Sequence, residues 1–357
     1  MKAPPDLRLL GLQQNEVLLG PETVHIDITN SCNTNCITCW DHSPHLRLAP
    51  SAAWKRQRAD LQAVKDLLDD VQSLGGLKAI VLSGMGEPFT HPQAEEMIAD
   101  IKERGLHLTI ITNLIAAPVE RIVELEVDQL LIGVQGASQA SYEAFHPNFA
   151  GGRAWEVLLE KLDFLHSRGR GYKHVQVICR PNAHELPAMV ELAARYGATQ
   201  LNFKLASLKE GTEAVEITAE QRQWLLQEGV PQARQRAEQL GLSSNLEVFA
   251  LQLSAGPGKT APIAEVGCFM GHYYARVLVD GSVLYCCNVE VRVGSLREQR
   301  FSQLWLGEAW QRLRQQLRQG EYFESCQQCG KFNQNVKIGQ RFARHFGDDR
   351  LRAITGR

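Results

Sequence analysis

Along the first 205 residues, short apolar segments rich in β-branched residues alternate with stretches of helical periodicity. This pattern predicts strands near Val24–Thr29, Leu77–Leu82, Leu106–Thr112, Gln129–Val134, Lys173–Cys179 and Thr199–Lys204. Between them it predicts helices near Lys55–Leu74, Pro92–Arg104, Pro118–Leu125, Trp155–Arg168 and His184–Tyr196. Strands alternating with helices predict a parallel α/β sheet. Crossovers of this length permit right-handed parallel pairing. A closed eight-unit barrel needs more repeats, so the expected fold is a partial (β/α)6 TIM-like barrel.

After Leu205 the pattern changes. Thr218–Leu240 reads as a helical stretch, and Ser254–Pro262 as a Gly/Pro/Ser linker. Within that linker, Gly256-Pro-Gly-Lys-Thr260 lacks the first glycine of a phosphate loop and any preceding strand, so it reads as a plain turn. Ala275–Val279 and Ser282–Cys286 flank Asp280-Gly281, a hairpin signal. An amphipathic helix is expected over Phe301–Arg318, and a surface helix in the basic tail from Lys331. The expected organisation is an N-terminal segment (1–21), the barrel (22–205), a helical connector and linker (206–262), a hairpin-plus-helix domain (263–335) and a tail (336–357).

Composition narrows the function. A chain of 357 residues suggests about two domains. Basic residues number 38 against 40 acidic, so no general field for nucleic acid or anionic membrane arises. No apolar run approaches the ~18 residues that a transmembrane helix requires. Met1–Gly20 lacks the basic start, apolar block and cleavage site of a secretory signal. A cytoplasmic chain is therefore expected, and its nine cysteines read as metal ligands or reactive thiols rather than disulfides.

Cys32, Cys36 and Cys39 form C-x-x-x-C-x-x-C directly after the first predicted strand. Thiolates are the usual ligands of iron–sulfur clusters. Three of them leave one iron of a 4Fe–4S cube open. A zinc site with a distant fourth ligand, or three buried thiols, would share this spacing. Ser83-Gly-Met-Gly-Glu-Pro88 follows the second strand, at the barrel end where functional loops gather. Gly84 and Gly86 would let backbone approach a ligand closely, and Glu87 could pair with an ammonium group.

Together these segments resemble the radical S-adenosylmethionine (radical SAM) enzymes over about residues 22–205. Ile28-Thr-Asn-Ser-Cys-Asn-Thr-Asn-Cys-Ile-Thr-Cys39 is similar to the family's cluster loop, and Gly84-Met-Gly-Glu-Pro88 to its methionine-binding segment. Ile111-Thr-Asn113 resembles the third-strand segment, Ile132-Gly-Val-Gln-Gly136 the fourth, near the ribose, and Val177-Ile-Cys-Arg180 the fifth, near the SAM carboxylate. The resemblance implies a 4Fe–4S cluster whose open iron is chelated by SAM. It implies SAM contacts from Gly84, Gly86, Glu87, Thr112, Asn113, Gln135 and Arg180. Three departures stand out: Thr38 where an aromatic is common, with Trp40 close by; Gly133 and Gln135 for the usual serine and aspartate; and Leu114 for a glycine.

Cys268, Cys286 and Cys326-Gln-Gln-Cys329 make a second set of four thiolates. A closed zinc site would use the same ligands. Their order resembles the "twitch" half of the SPASM domains appended to many radical SAM enzymes, which implies one auxiliary 4Fe–4S cluster. Cys287, following a ligand on a strand, would face the opposite side and could donate a hydrogen atom. Cys179 reads as core or as barrel-mouth thiol, and Asp41, His42 and His45 as loop residues near the first cluster.

The resemblance implies reductive cleavage of SAM to a 5′-deoxyadenosyl radical that takes hydrogen from a small polar substrate, a sugar or aminocyclitol being one such class. The auxiliary cluster would accept an electron in a dehydrogenation, and a flavodoxin- or ferredoxin-type protein would supply the reductant. The alternatives are a radical epimerase using a cysteine donor, a peptide-modifying maturase, and a non-enzymatic iron–sulfur or zinc protein. No membrane or nucleic-acid partner is expected.

Overall fold

The computed structural model describes residues 6–356. Its framework is one ten-stranded sheet. Strands β1 (Thr23–Asp27), β2 (Ala79–Ser83), β3 (His107–Thr112), β4 (Gln129–Gly133), β5 (Lys173–Ile178) and β6 (Gln200–Leu205) pair in chain order, each parallel to the next. These are the six expected strands, and the mixed α/β fold with a parallel core is the partial TIM-like barrel. A two-residue strand, β7 (Ser243–Ser244), extends β6.

The other edge departs from the expected layout. The hairpin strand β8 (Tyr274–Val277) pairs in parallel with β1, so the second module continues the barrel sheet. β9 (Ser282–Leu284) pairs antiparallel with β8, and β10 (Arg292–Ser295), absent from the sequence expectation, pairs with β9. Gly281 turns the hairpin at φ 82°. The chain leaves the ladder after Leu284, earlier than the sequence suggests.

The outward side chains of the strands form the core with the covering helices. Ile80, Leu82, Leu108, Ile110, Leu201 and Phe203 are fully buried there. The helices mostly fall where periodicity places them, with breaks that local chemistry explains. The stretch expected as one helix over Lys55–Leu74 divides into Ala52–Lys55 and Leu61–Ser73, because Asp60 caps the second helix by accepting from Ala63 N at 3.0 Å. Phe301–Arg318 divides at Gly307 into Phe301–Leu306 and Glu308–Arg318. Trp305 and Trp310, one from each half, meet edge to face at 4.6 Å and back the hairpin through Tyr285. A helix missed by periodicity, Gln139–Phe145, starts at a capping box of Ser138 and Ser141. The helix Phe332–Phe346 runs across the expected 335/336 boundary and buries Phe332, Asn335, Ile338 and Phe342.

Candidate active site between two cysteine groups

The first cysteine group lies on the loop that follows β1. Thr34 Oγ1 sits 3.4 Å from Cys32 Sγ and 3.3 Å from Cys36 Sγ, so one hydroxyl joins two sulfurs. The Asp41 amide donates to Cys39 Sγ at 3.5 Å. All three cysteines remain partly exposed. Burial, reinforced by the neighbouring thiols and Asp41, pushes Cys39 up to about 11 and Cys36 higher still. A bound cation reverses that tendency, since metal ligands must be thiolates.

The Gly84–Pro88 segment is clamped onto this loop. A Cβ on Gly84 would lie 2.2 Å from the Thr29 carbonyl oxygen, and one on Gly86 1.9 Å from that of Ser31. Their missing side chains therefore admit the backbone of the loop that follows β1, and Gly84 also lines the cavity described below. Glu87 N donates to the Ser31 carbonyl at 2.8 Å, and His42 Nε2 lies 3.0 Å from the Met85 carbonyl. The Glu87 carboxylate accepts from Thr112 Oγ1 at 2.7 Å, Asn113 N at 2.8 Å and Phe89 N at 3.4 Å. Three predicted site residues therefore meet at one carboxylate. Burial pushes Glu87 up to about 7, against the pull of those three donors.

The three departures from the resemblance have physical accounts. Leu114 holds φ 67°, the left-handed region in which glycine is the usual occupant. Its side chain is fully buried, and that burial offsets the strain. Gln135, at φ 64°, turns its side-chain oxygen onto Val177 N at 2.6 Å and so braces β4 against β5. Trp40 donates to the Ser207 carbonyl at 2.7 Å and stacks beneath Lys209 at 4.2 Å.

The second group gathers five thiols rather than four. Cys268, Cys286, Cys326 and Cys329 all lie within electrostatic reach of Cys287. Asn288 N donates to Cys286 Sγ at 3.4 Å, and Asn335 Nδ2 to Cys329 Sγ at 3.9 Å. Cys286 and Cys287 line one cavity, which corrects the opposite-face expectation. Residues 285–287 form a bend beyond the strand end at Leu284, so strand alternation does not govern them.

A cavity of about 420 Å³ joins the two groups. Thr38–Asp41 and Gly84-Met85 line one side, and Cys286, Cys287, Cys326 and Cys329 the other. Lys204, Lys209 and Arg276 also line it, and sequence reasoning missed all three. Arg276 clamps the fully buried Asp27 through Nε at 3.1 Å and Nη2 at 2.7 Å. Asp27 also lies 3.3 Å from His25 Nε2, and His25 Nδ1 lies 2.7 Å from Tyr274 Oη. A sequence signal existed. Gln200, Asn202 and Lys204 alternate with Leu201, Phe203 and Leu205, whereas strands buried on both faces are continuously apolar.

One expected residue lies elsewhere, and Cys179 takes the core position that was one of its two readings. Arg180 is exposed and turned away from the cavity, its Nε donating to the Glu216 carbonyl at 3.0 Å. It follows the end of β5, and its backbone N is drawn to the Val215 carbonyl. Cys179 is fully buried among Ile37, Phe145 and Ala206, a core position. Among the described residues, no helix is long and apolar enough to cross a membrane.

Comparison with known proteins agrees with this geometry. The sequence profile of the radical SAM superfamily matches residues 26–193, and that of the SPASM iron–sulfur cluster-binding domain matches residues 268–330. The chain carries a radical SAM domain followed by a SPASM domain. The AdoMet-dependent heme synthase of Methanosarcina barkeri is 24% identical over 300 residues, covering 80% of this chain and 82% of that protein. The PqqA peptide cyclase of Methylorubrum populi is 28% identical over 192 residues, 52% of this chain and 46% of that one. In fold, the chain is similar to Streptococcus suis SuiB bound to S-adenosylmethionine, with a TM-score of 0.62 at 15% identity, over 92% of this chain and 74% of that one. The cofactors of this radical SAM–SPASM chain are thus a 4Fe–4S cluster, SAM and an auxiliary iron–sulfur cluster.

Proposed function

We propose that the chain is a cytoplasmic radical SAM dehydrogenase acting on a small polar molecule. The observation that carries this reading is the single cavity bounded by both cysteine groups, because one substrate can lie against both at once. In this reading Cys32, Cys36 and Cys39 hold the first cluster, and Cys268, Cys286, Cys326 and Cys329 hold one auxiliary 4Fe–4S cluster. When bound, the first cluster and SAM supply a 5′-deoxyadenosyl radical that takes a substrate hydrogen atom, and the auxiliary cluster supplies an electron acceptor. A flavodoxin- or ferredoxin-type protein supplies the reductant.

The chain's own residues position and enclose. Gly84 and Gly86 bring the second-strand loop onto the cluster loop. Glu87 fixes Thr112 and Asn113 beside it and presents its carboxylate to the SAM ammonium group. Gln135 holds β4 against β5 on the ribose side. Asp41 lines the cavity and is pushed up to about 6, chiefly by burial, so it can take a proton near neutral pH. Four thiolates complete the auxiliary ligand set, which leaves that cluster free for electron transfer.

A second reading has one observation in its favour. Cys287 lines the same cavity, where a thiol could return hydrogen to a substrate radical in an epimerase. Cys287→Ala separates the two. A dehydrogenase keeps most product formation in this variant, measured by mass spectrometry. An epimerase loses its product while SAM cleavage continues, and the unaltered enzyme incorporates solvent deuterium. That second pattern would overturn dehydrogenation.

A further inference from the structure

On the far side of Lys204 lies another cavity, of about 330 Å³, within the usual range for small-molecule sites of roughly 300–1,000 Å³. It abuts the reaction cavity, sharing Lys204, Leu205, Ser207, Cys329 and Gly330 with it. Its charge is one-sided. Lys173, Lys204, Lys331 and Lys337 line it, and no aspartate or glutamate does. Amide side chains, among them Asn202 and Gln334, and the hydroxyls of Ser207 and Thr260 add neutral polar groups to its wall.

These lysines have no acidic partners in the structure. Among the described residues, none of the four forms an ion pair within 4.0 Å. Lys337 also borders an outer groove containing Glu238 and Glu247 but pairs with neither. Lys173 has Lys337 as its one electrostatic neighbour, a like charge. Lys204 stands on β6 and lines both cavities. Lys331 rests over the Tyr274 ring at 3.8 Å and precedes the helix Phe332–Phe346, whose first turn carries no acid and no side-chain cap. The positive end of that helix's dipole adds to the field.

Like charges gathered on one cavity wall repel one another unless a counter-charge is bound. Two of these lysines, Lys204 and Lys331, face the auxiliary cysteines and have a counter-charge once a thiolate-ligated cluster is present. Lys173 and Lys337 have none. We infer that this side cavity is a binding site for a multiply anionic group, a dicarboxylate or phosphate, carried by the substrate whose reacting carbon lies in the adjoining cavity. The inference rests on the proposed function for the word substrate; the anion site itself does not depend on it. It also supplies a specificity rule: molecules lacking such a group would enter the reaction cavity without an anchor.

The test is calorimetric titration of reconstituted, SAM-loaded protein, under anaerobic conditions, with glutarate and separately with inorganic phosphate. The wild type should bind at least one of them at one site, more weakly as salt rises. Whichever of the two binds identifies the anion class. The double variant Lys173→Gln/Lys337→Gln should bind it at least about tenfold more weakly, as expected for losing charge-assisted contacts. Lys337→Gln alone, on an exposed helix face, provides a variant that keeps the fold and should lose part of the affinity. 5′-Deoxyadenosine formation without substrate should be the same in all three proteins. Failure of the wild type to bind either anion, or equal binding by the double variant, would overturn the proposal. Absence of deoxyadenosine in the wild type would overturn the radical reading instead, leaving the titration to decide the anion site.

Discussion

Glu87 shows how one side chain can serve as both brace and candidate ligand contact. Two of its three donors, Thr112 and Asn113, join the second-strand loop to the end of β3, yet burial opposes its charge. Its proton affinity is raised in the folded state, so its contribution to stability is fully present below pH 4.5 and is lost as pH rises through about 7. Glu87→Gln, neutral throughout, should remove this part of the pH dependence, on the order of 3 kcal/mol across that window. Urea unfolding of the apo-protein at pH 5 and pH 8 measures it, and an unchanged difference between the two pH values would refute the burial argument. The same substitution should weaken SAM binding about 10- to 150-fold if the carboxylate meets the ammonium group. The motif residues were legible because their chemistry depends on residue type and spacing. The glycine contacts were not, because a sequence does not tell which backbone passes within 2.2 Å of a missing Cβ.

Among the elements, the pairing of β1 with β8 does most to shape the site. It sets His25 opposite Arg276 and so brings Arg276 against the buried Asp27 of the same strand. Removing one partner of a buried pair leaves an unpaired charge. Asp27→Ala should therefore cost about 3–5 kcal/mol, and Asp27→Ala combined with Arg276→Met should recover most of that loss. A double-mutant cycle by chemical denaturation checks it; additive losses would show that the two residues are independent. The six barrel strands were legible because their apolar runs are long enough to compete with other readings. β10 was not, since Arg292-Val-Gly-Ser295 is short and polar and is held by its partner Ser282–Leu284. The placement of Cys287 was missed because alternation holds only inside a ladder, and this ladder ends at Leu284.

At the scale of the molecule, two distant cysteine groups become neighbours because the SPASM hairpin adds its edge strand to the barrel sheet. That continuity brings Arg276 of β8 and the second cysteine group to the cavity that Cys39 also lines. The two cysteine groups each stand out by their spacing; their meeting depends on a parallel pairing between residues about 250 positions apart, with Thr23 opposite Tyr274, which periodicity does not encode. The central claim is that Cys32, Cys36 and Cys39 support SAM cleavage independently of the second group. The direct measurement is 5′-deoxyadenosine formed by anaerobically reconstituted protein given SAM and dithionite, for the wild type and for the variant with all three cysteines changed to alanine. The account predicts deoxyadenosine from the wild type, and none from the triple variant, which should keep about half of its iron in the second cluster. Continued deoxyadenosine formation by the triple variant would contradict it.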